Sequence, residues 1–448
     1  MIMPREVVLV FDIGKTNKKA LLFDRNLRIL HEEERGFDEI PDEDGFPADD
    51  IGAMETWMLE RSESFLRRAD LELKGINFAT YGASLAYLDG VGNRLTPVYN
   101  YLKPMPEGIT ESLYEAHGGK EEFCRRTASP ALGMLNSGFQ ALWLRNTRPG
   151  VFRDVRHILH FPQYLSHRFT GRICSEHTSI GCHTALWDFD RMAYHPWVTR
   201  EGLELPDPLP VETVFPSRVL STPVPTGIGI HDSSASLVPY FMQSTEAFLL
   251  LSTGTWCIAM NPFNPEPLTA AQLERDCLSY LSIRRKPVKS SRLFMGHIHD
   301  VNLERLSLHF GQEREAYKRI PADPDLLRSL RHKTPGRVFF SGGVPEGYVD
   351  HRVDPGIFES FAEGYHRLMI DLTDLCVESL RLVIPASDAS TQIFVSGGFG
   401  KNPLFLALLR DQFPDKEVLA PDIANATSLG AAMVLWKGVD PGFQAPVG

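Results

Sequence analysis

An apolar run, Val7-Val8-Leu9-Val10-Phe11, ends in the acid Asp12 and opens the polar turn Ile13-Gly14-Lys15-Thr16-Asn17-Lys18-Lys19. A second apolar run, Ala20-Leu21-Leu22-Phe23, follows. These residue types at this spacing suit a β-hairpin that grips phosphate and metal. A carboxylate such as Asp12 at a strand tip holds magnesium directly or through water. The backbone N–H groups and the Thr16 and Asn17 side chains offer ligands to phosphate oxygens, with Lys15 and Lys18 beside them. Gly14 lets the backbone turn tightly and approach a ligand. The stretch is not a P-loop, because no Gly-Lys-Ser/Thr leads into a helix. Taken alone it also fits an ordinary buried hairpin.

Three further stretches repeat the theme of a strand ending in small polar residues. Gly229-Ile230-His231-Asp232 leads into Ser233-Ser234-Ala235-Ser236, a helix start whose N-terminus favours an anion; by itself Asp232 also reads as a helix cap. Leu251-Ser252 runs into Thr253-Gly254-Thr255-Trp256, where Thr253, Gly254 and Thr255 suit a phosphate turn and Trp256 suits the core. Val395-Ser396 runs into Gly397-Gly398-Phe399-Gly400-Lys401-Asn402. There Gly397, Gly398 and Gly400 form a helix-entry turn, and Asn402 opens the next helix. His157 with His160, and His297 with His299 and Asp300, imitate metal ligands, but no third cluster completes either set, and both are read as structural.

The elements that must position these residues follow from pattern. Residues 7–11 and 19–23 pair as a hairpin and 26–31 adds a strand. Asp38–Asp50, acidic and rich in Pro and Gly, is a loop. Apolar spacing predicts a helix over 51–69. Residues 75–79 form a buried strand ending at Thr80-Tyr81-Gly82-Ala83-Ser84, and 85–88 a strand meeting the turn 89–93. Residues 107–170 read as mostly helical and 203–225 as extended. In the second half, 246–251 and 392–395 read as strands, and 301–319, 357–384, 403–413 and 427–436 as helices. A short strand lies at 417–419. Val338–Gly343 echoes the later Ser-Gly-Gly by chance.

The chain has 448 residues, 43% apolar and 23% charged, enough for two cores. A net charge of −11 argues against a nucleic-acid surface as the main partner. No stretch has the length of a membrane span. The N-terminus runs straight into a strand with no signal peptide. The six cysteines (Cys124, Cys174, Cys182, Cys257, Cys277 and Cys376) show no CxxC spacing and read as reduced, so a cytoplasmic protein is expected.

In this order the motifs resemble those of the FGGY family of carbohydrate kinases, over nearly the whole chain. Asp12–Lys18 looks like that family's first phosphate motif, Leu251–Trp256 like its second, and Val395–Asn402 like its adenosine motif. Glu176, Thr178 and Thr184 before Trp187-Asp188 fit its N-terminal signature. The Gly-Thr-Trp form, the His231-Asp232 pair and the Tyr81-Gly82 turn are most similar to its deoxy-ketose kinases. The resemblance implies an α/β fold of two domains, sugar kinase/Hsp70/actin-like (ribonuclease H-like), divided as 1–242 and 243–448 about a central cleft. It implies ATP and Mg2+ as cofactors and a sugar as small-molecule partner, and leaves a homodimer open. It implies Asp232 as general base and Tyr81, Gly82, His231 and Asp232 as the sugar site. The acceptor would be a ketose, with L-rhamnulose or L-fuculose ahead of D-xylulose. Ala83-Ser84 stands where glycerol kinases carry an Arg-Glu pair, which disfavours glycerol. Lys15 departs from the small residue usual in the family, and the chain is shorter than typical members. A non-kinase ATPase of the same superfold and a catalytically silent sugar-binding regulator are the competing readings.

Overall fold

The computed structural model describes residues 3–445. Strand β1, Arg5–Ile13, runs antiparallel to β2, Lys18–Asp24, which in turn pairs with β3, Ile29–Arg35. On its other side β1 pairs in parallel with the strand Leu71–Thr80. That strand is flanked in parallel by Pro225–Gly227 and Ile230–His231. β1 is apolar throughout because both faces of the sheet are covered. Val7, Leu9 and Phe11 meet Trp57 and Met58 of helix α1, Ile51–Leu66. Val8 and Val10 meet Ala431, Leu435 and Trp436 of the last helix, Ala426–Val439. Burial of each such large side chain stabilises the fold by about 1.5–3 kcal/mol.

A second sheet repeats this topology. Phe248–Thr253 pairs antiparallel with Cys257–Asn261, which pairs with Pro287–Leu293 and through it with Cys277–Leu281. Phe248–Thr253 also pairs in parallel with Gln392–Gly397, and that strand with Glu417–Leu419. The long helix Phe361–Arg381 and the helices Met295–His309 and Pro403–Gln412 contribute Leu368, Leu303 and Leu408 to one core on this sheet. Each sheet thus consists of an antiparallel meander extended by parallel strands. Their carboxyl ends carry the polar turns, where ligands bind in open α/β sheets.

The helices Asp232–Gln243 and Ala426–Val439 cross at Gly430, where an added Cβ would stand 1.9 Å from the Ala235 carbonyl oxygen. The last helix of the chain therefore lies on the first sheet, and only a glycine permits so close an approach.

Several expectations change. Leu85–Leu88 pairs antiparallel with His157–His160, inside the region read as helical, and meets the segment after its own turn only through a bridge to Arg94. The helix expected at 301–319 runs from Met295 to His309 and is followed by a 3-10 turn, Arg314–Arg319. The strands Cys257–Asn261, Cys277–Leu281 and Pro287–Leu293 escaped the sequence reading, because a basic turn at Arg284–Lys286 interrupts them. Val338 and Phe339 form a turn whose N–H groups donate to the Asp371 carboxylate at 3.0 and 2.8 Å.

Candidate active site

The β1–β2 turn is closed by the Gly14 N–H donating to the Asn17 carbonyl at 2.9 Å, and Thr16 and Asn17 stand exposed. Asp12 sits opposite Lys19 in the ladder. Its carboxylate accepts the Ser428 hydroxyl at 2.6 Å. Burial pushes its pKa up to about 6; the Ser428 hydrogen bond opposes this, and the charge of Asp232 adds to it. Lys19 is the cation near Asp12, and its ammonium donates to Glu32 at 2.8 Å and to Asn425 at 3.1 Å.

The two lysines expected beside the phosphates are already engaged. Asp49, 7% exposed, accepts from Lys15 at 2.9 Å, from Lys18 at 3.1 Å and from the Tyr81 hydroxyl at 2.7 Å. Lys15 also donates to Glu39 at 3.2 Å. Burial alone would raise the Asp49 carboxyl, but Tyr81, Lys15 and Lys18 hold it below the usual range. Asp49 thus ties the hairpin to the strand end that carries Tyr81, and the Tyr81 hydroxyl is spent on it.

Tyr81, Gly82, His231 and Asp232 come together at a cavity of about 320 Å³, which Ser233, Tyr101, Cys182 and His183 also line. The register explains it: His231 pairs with Thr80, so the start of the helix Asp232–Gln243 lies beside the Tyr81-Gly82 turn. A Cβ at Gly82 would stand 2.9 Å from His231 Nε2. Gly229 has φ +83, and a Cβ there would lie 2.6 Å from the Pro162 carbonyl oxygen. Asp232 is the first helical residue rather than the cap, which is His231. Its Oδ1 accepts from the Ser233 N–H at 2.5 Å and lies 3.2 Å from His231 Nε2. A third of this side chain reaches the cavity while protein encloses the rest, and burial pushes its pKa up to about 6. Burial pushes the His231 imidazole down to about 4, so it is neutral at pH 7. Glu176 and Thr178 lie behind: the Thr178 hydroxyl donates to Glu176 and accepts from the His231 N–H at 3.1 Å.

Two residues on the cavity wall hold left-handed backbone, Ala83 at φ +60 and His183 at φ +39. Gln140 donates to the Ala83 carbonyl at 2.7 Å and Asn136 to the His183 carbonyl at 2.9 Å. Such conformations persist where neighbours over-determine them, and they cluster at ligand sites.

A larger cavity, about 590 Å³, opens between the turn at Gly254-Thr255, the N-terminus of Met295–His309 and the turn Gly398–Pro403. Thr253 joins the two turns: its hydroxyl donates to the Ser396 carbonyl and accepts from the Phe399 N–H at 3.1 Å. Gly397, at φ +79, lies so near the Thr253 carbonyl that no other residue fits. Gly400 packs on the Val395 carbonyl. Asn402 caps the helix Pro403–Gln412 through the N–H groups of Leu404 and Phe405, and donates to the Tyr365 hydroxyl at 2.8 Å. His299 and Asp300 bond to each other at 3.0 Å, and no group of three metal-ligating side chains occurs among the described residues. Trp256, expected in the core, is 42% exposed and packs against Phe294 in a tilted pair with ring centroids 4.4 Å apart.

The expectation from motifs omitted Lys19, Asp49, Ser428, His183 and Arg292. Lys19 was legible, since strand pairing places it opposite Asp12. His183 stands within the Glu176–Asp188 stretch but is not one of its named positions, and Asp49, Ser428 and Arg292 lie far from the motifs in sequence and carry no local signal.

Comparison with known proteins bears on the same residues. The model for "FGGY family of carbohydrate kinases, N-terminal domain" matches residues 7–203, and "Carbohydrate kinase FGGY, C-terminal domain" matches 245–314; together they span more than half the chain. A rhamnulokinase of Yersinia pestis is 25% identical over 284 residues, 60% of this chain and 56% of that protein. An L-fuculokinase of Escherichia coli is 25% identical over 306 residues, 62% of this chain and 59% of that protein. The matched region thus spans less than two thirds of these relatives. A solved carbohydrate kinase from Novosphingobium aromaticivorans superposes with a TM-score of 0.78 over 97% of this chain and 94% of its own, at 24% identity. A xylulose kinase from Lactobacillus acidophilus superposes at 0.75 over 98% and 90%, with 15% identity. These establish the two-domain α/β fold of the sugar kinase, actin and Hsp70 type.

Proposed function

The chain belongs to the FGGY family of carbohydrate kinases, and from that premise we propose that it transfers the γ-phosphoryl group of ATP to a hydroxyl of a ketose. The observation that carries this reading is Asp232, a carboxylate of raised pKa at the wall of a sugar-sized cavity, beside a second carboxylate, Asp12. Phosphoryl transfer is mostly positioning and charge neutralisation. Asp232 accepts the proton of the attacking hydroxyl as the new P–O bond forms and the bond to the β-phosphate oxygen breaks. Neutral His231 and the backbone at Gly82 orient the acceptor, and Tyr81 supplies a wall held rigid by Asp49. The exposed Thr16 and Asn17, with the Thr255 N–H, hold phosphate oxygens, while the Gly14 and Gly254 N–H groups close their own turns on the Asn17 and Trp256 carbonyls. Lys15 and Lys18 act at one remove, fixing the turn through Asp49. Adenosine lies in the larger cavity against Gly397, Gly398 and Gly400, and Asn402 shapes that wall as a helix cap. The division at 242/243 remains our proposal; each side of it holds one of the two large sheets.

Magnesium fits the residues present. It is bound through one or two carboxylates plus substrate phosphates rather than by an all-protein cage. Asp12, half-buried, with a raised pKa and the Ser428 hydroxyl as its one hydrogen-bond donor among the described residues, is such a carboxylate. When bound, the ion would neutralise phosphate charge.

A deoxy-ketose acceptor such as L-rhamnulose or L-fuculose is favoured, as the relatives' names suggest; D-xylulose is the alternative. No helix among the described residues is long and apolar enough to cross a membrane. The test is ADP release screened over ketoses, aldoses and polyols, with Asp232→Asn in parallel. We expect ketoses to exceed glycerol, and the variant to lose about 10²–10⁴-fold in kcat. A variant keeping more than about a tenth of kcat would remove Asp232 from the chemistry. ATP turnover indifferent to every acceptor would favour a non-kinase ATPase of this fold.

A further inference from the structure

The kinase reading leaves a charge unaccounted for. A phosphoryl group in transit spreads negative charge over its oxygens, and kinases meet it with fixed cations. Here Lys15 and Lys18 are committed to Asp49, and Lys19 to Glu32. One arginine or lysine lines the acceptor cavity among the described residues, and it comes from the second sheet: Arg292, in the strand Pro287–Leu293. His183 and His231, which share that cavity, are held neutral by burial.

Arg292 is also fixed in place. Its Nε and Nη2 donate to the two Asp276 oxygens at 2.9 and 2.5 Å, a bidentate pair that leaves Nη1 without a partner among the described residues. Its guanidinium lies 5.4 Å from the Trp256 ring centroid. Trp256 is the exposed aromatic that follows Gly254-Thr255, two residues of the larger cavity, while Ser252 just before them lines the smaller one. Arg292 lines the smaller cavity and is held by a carboxylate on one side and, on the other, by the indole that follows two residues of the larger cavity. This also gives Trp256 a reason to be outside the core.

We propose that Arg292 is a catalytic residue that binds the phosphoryl group in transit through its free Nη1, with Asp276 and Trp256 as positioning residues. The inference rests on the kinase reading. No proton moves to or from Arg292: the P–O bond to the β-phosphate oxygen breaks, the bond to the acceptor oxygen forms, and the proton goes to Asp232. Interactions made only in the transition state raise kcat rather than lower KM.

The experiment compares Arg292→Ala, Arg292→Lys and Asp276→Asn with the wild type. Direct binding is measured for ADP alone and for ADP with aluminium fluoride, a mimic of the transferring group. We expect Arg292→Ala to bind ADP within about twofold of wild type, but to lose about 10²–10³-fold in affinity for the fluoride complex and in kcat. Arg292→Lys keeps the charge but not the fork, and should recover only part of this. Added guanidinium ion should restore activity to Arg292→Ala and not to Asp232→Asn. Asp276→Asn should lower kcat with little change in the KM for ATP. The proposal is overturned if Arg292→Ala, shown folded by its thermal transition, keeps kcat within about threefold. It is also overturned by a defect confined to the acceptor KM, or by unaltered affinity for the fluoride complex. The binding arm needs no acceptor, so failure of every sugar in the screen would count against the kinase reading and leave this result standing.

Discussion

The Ser428 hydroxyl donates to the Asp12 carboxylate at 2.6 Å, across a separation of 416 residues. The last helix of the chain thus reaches back to the acid that opens the first strand turn. Asp12 is half-buried and of raised pKa, and this hydrogen bond favours its ionised form, the form that binds a cation.

Ser428→Ala should therefore weaken magnesium-dependent activity more than stability. A hydrogen bond to a charged group is worth about 1.5–3 kcal/mol. We expect about a tenfold rise in the magnesium concentration for half-activation, read from a magnesium titration of ADP release. An unchanged midpoint would assign Ser428 to packing alone.

Activity and stability should respond to pH in opposite directions. Asp12 and Asp232 both have folded-state pKa values raised to about 6 by burial. Each must be ionised to work, so kcat/KM for the acceptor should fall as pH drops through about 6. A raised folded pKa means the opposite for stability: each group's contribution is fully present below its unfolded pKa near 3.8 and is lost as pH rises through about 6. Asp232→Asn should accordingly be more stable than wild type above pH 6 while inactive. Thermal melts from pH 4 to 8 check this; a variant less stable across the range would refute it.

Asp49 should matter more to stability than Lys15. Asp49 is the shared acceptor for Lys18, 3% exposed, and for the Tyr81 hydroxyl. Breaking a buried pair leaves an uncompensated charge, about 3–5 kcal/mol. Lys15 is 22% exposed, and losing it should cost within about 1 kcal/mol. Urea unfolding of Asp49→Asn and Lys15→Ala distinguishes them. If Lys15→Ala also leaves the KM for ATP within twofold, its role is to hold the turn; a larger rise would return Lys15 to the phosphates.

Gly430→Ala should disrupt the crossing of the two helices, since its Cβ would meet the Ala235 carbonyl backbone at 1.9 Å. Overpacking of this kind costs about 1–3 kcal/mol. Because Ala235 and Ser428 flank the crossing, the variant should also raise the magnesium requirement; a melt within about 1 °C of wild type would contradict the assigned contact.

Local pattern alone determined a good deal about this protein. The hairpin at Asp12–Lys19, the strand tips at Tyr81, Thr253 and Gly397, and the helix opening at Asp232 were all legible, because a continuous apolar run ending in small polar residues has few other solutions. Three of these turns, at Asp12–Lys18, Leu251–Trp256 and Val395–Asn402, together with Glu176, Thr178 and Thr184 before Trp187-Asp188, also carried the family, which the family models bear out. Tertiary structure decided what the charges do. Nothing near Lys15 or Lys18 in sequence announces Asp49, nor does anything near Asp12 announce Ser428, nor near Trp256 announce Arg292. Strand register, a helix crossing that needs Gly430, and the return of the chain's last helix to its first sheet bring these groups together. A side chain's charge state and availability depend on neighbours within a few ångströms, and in a fold built from two sheets those neighbours are set by long-range pairing, which local sequence does not encode.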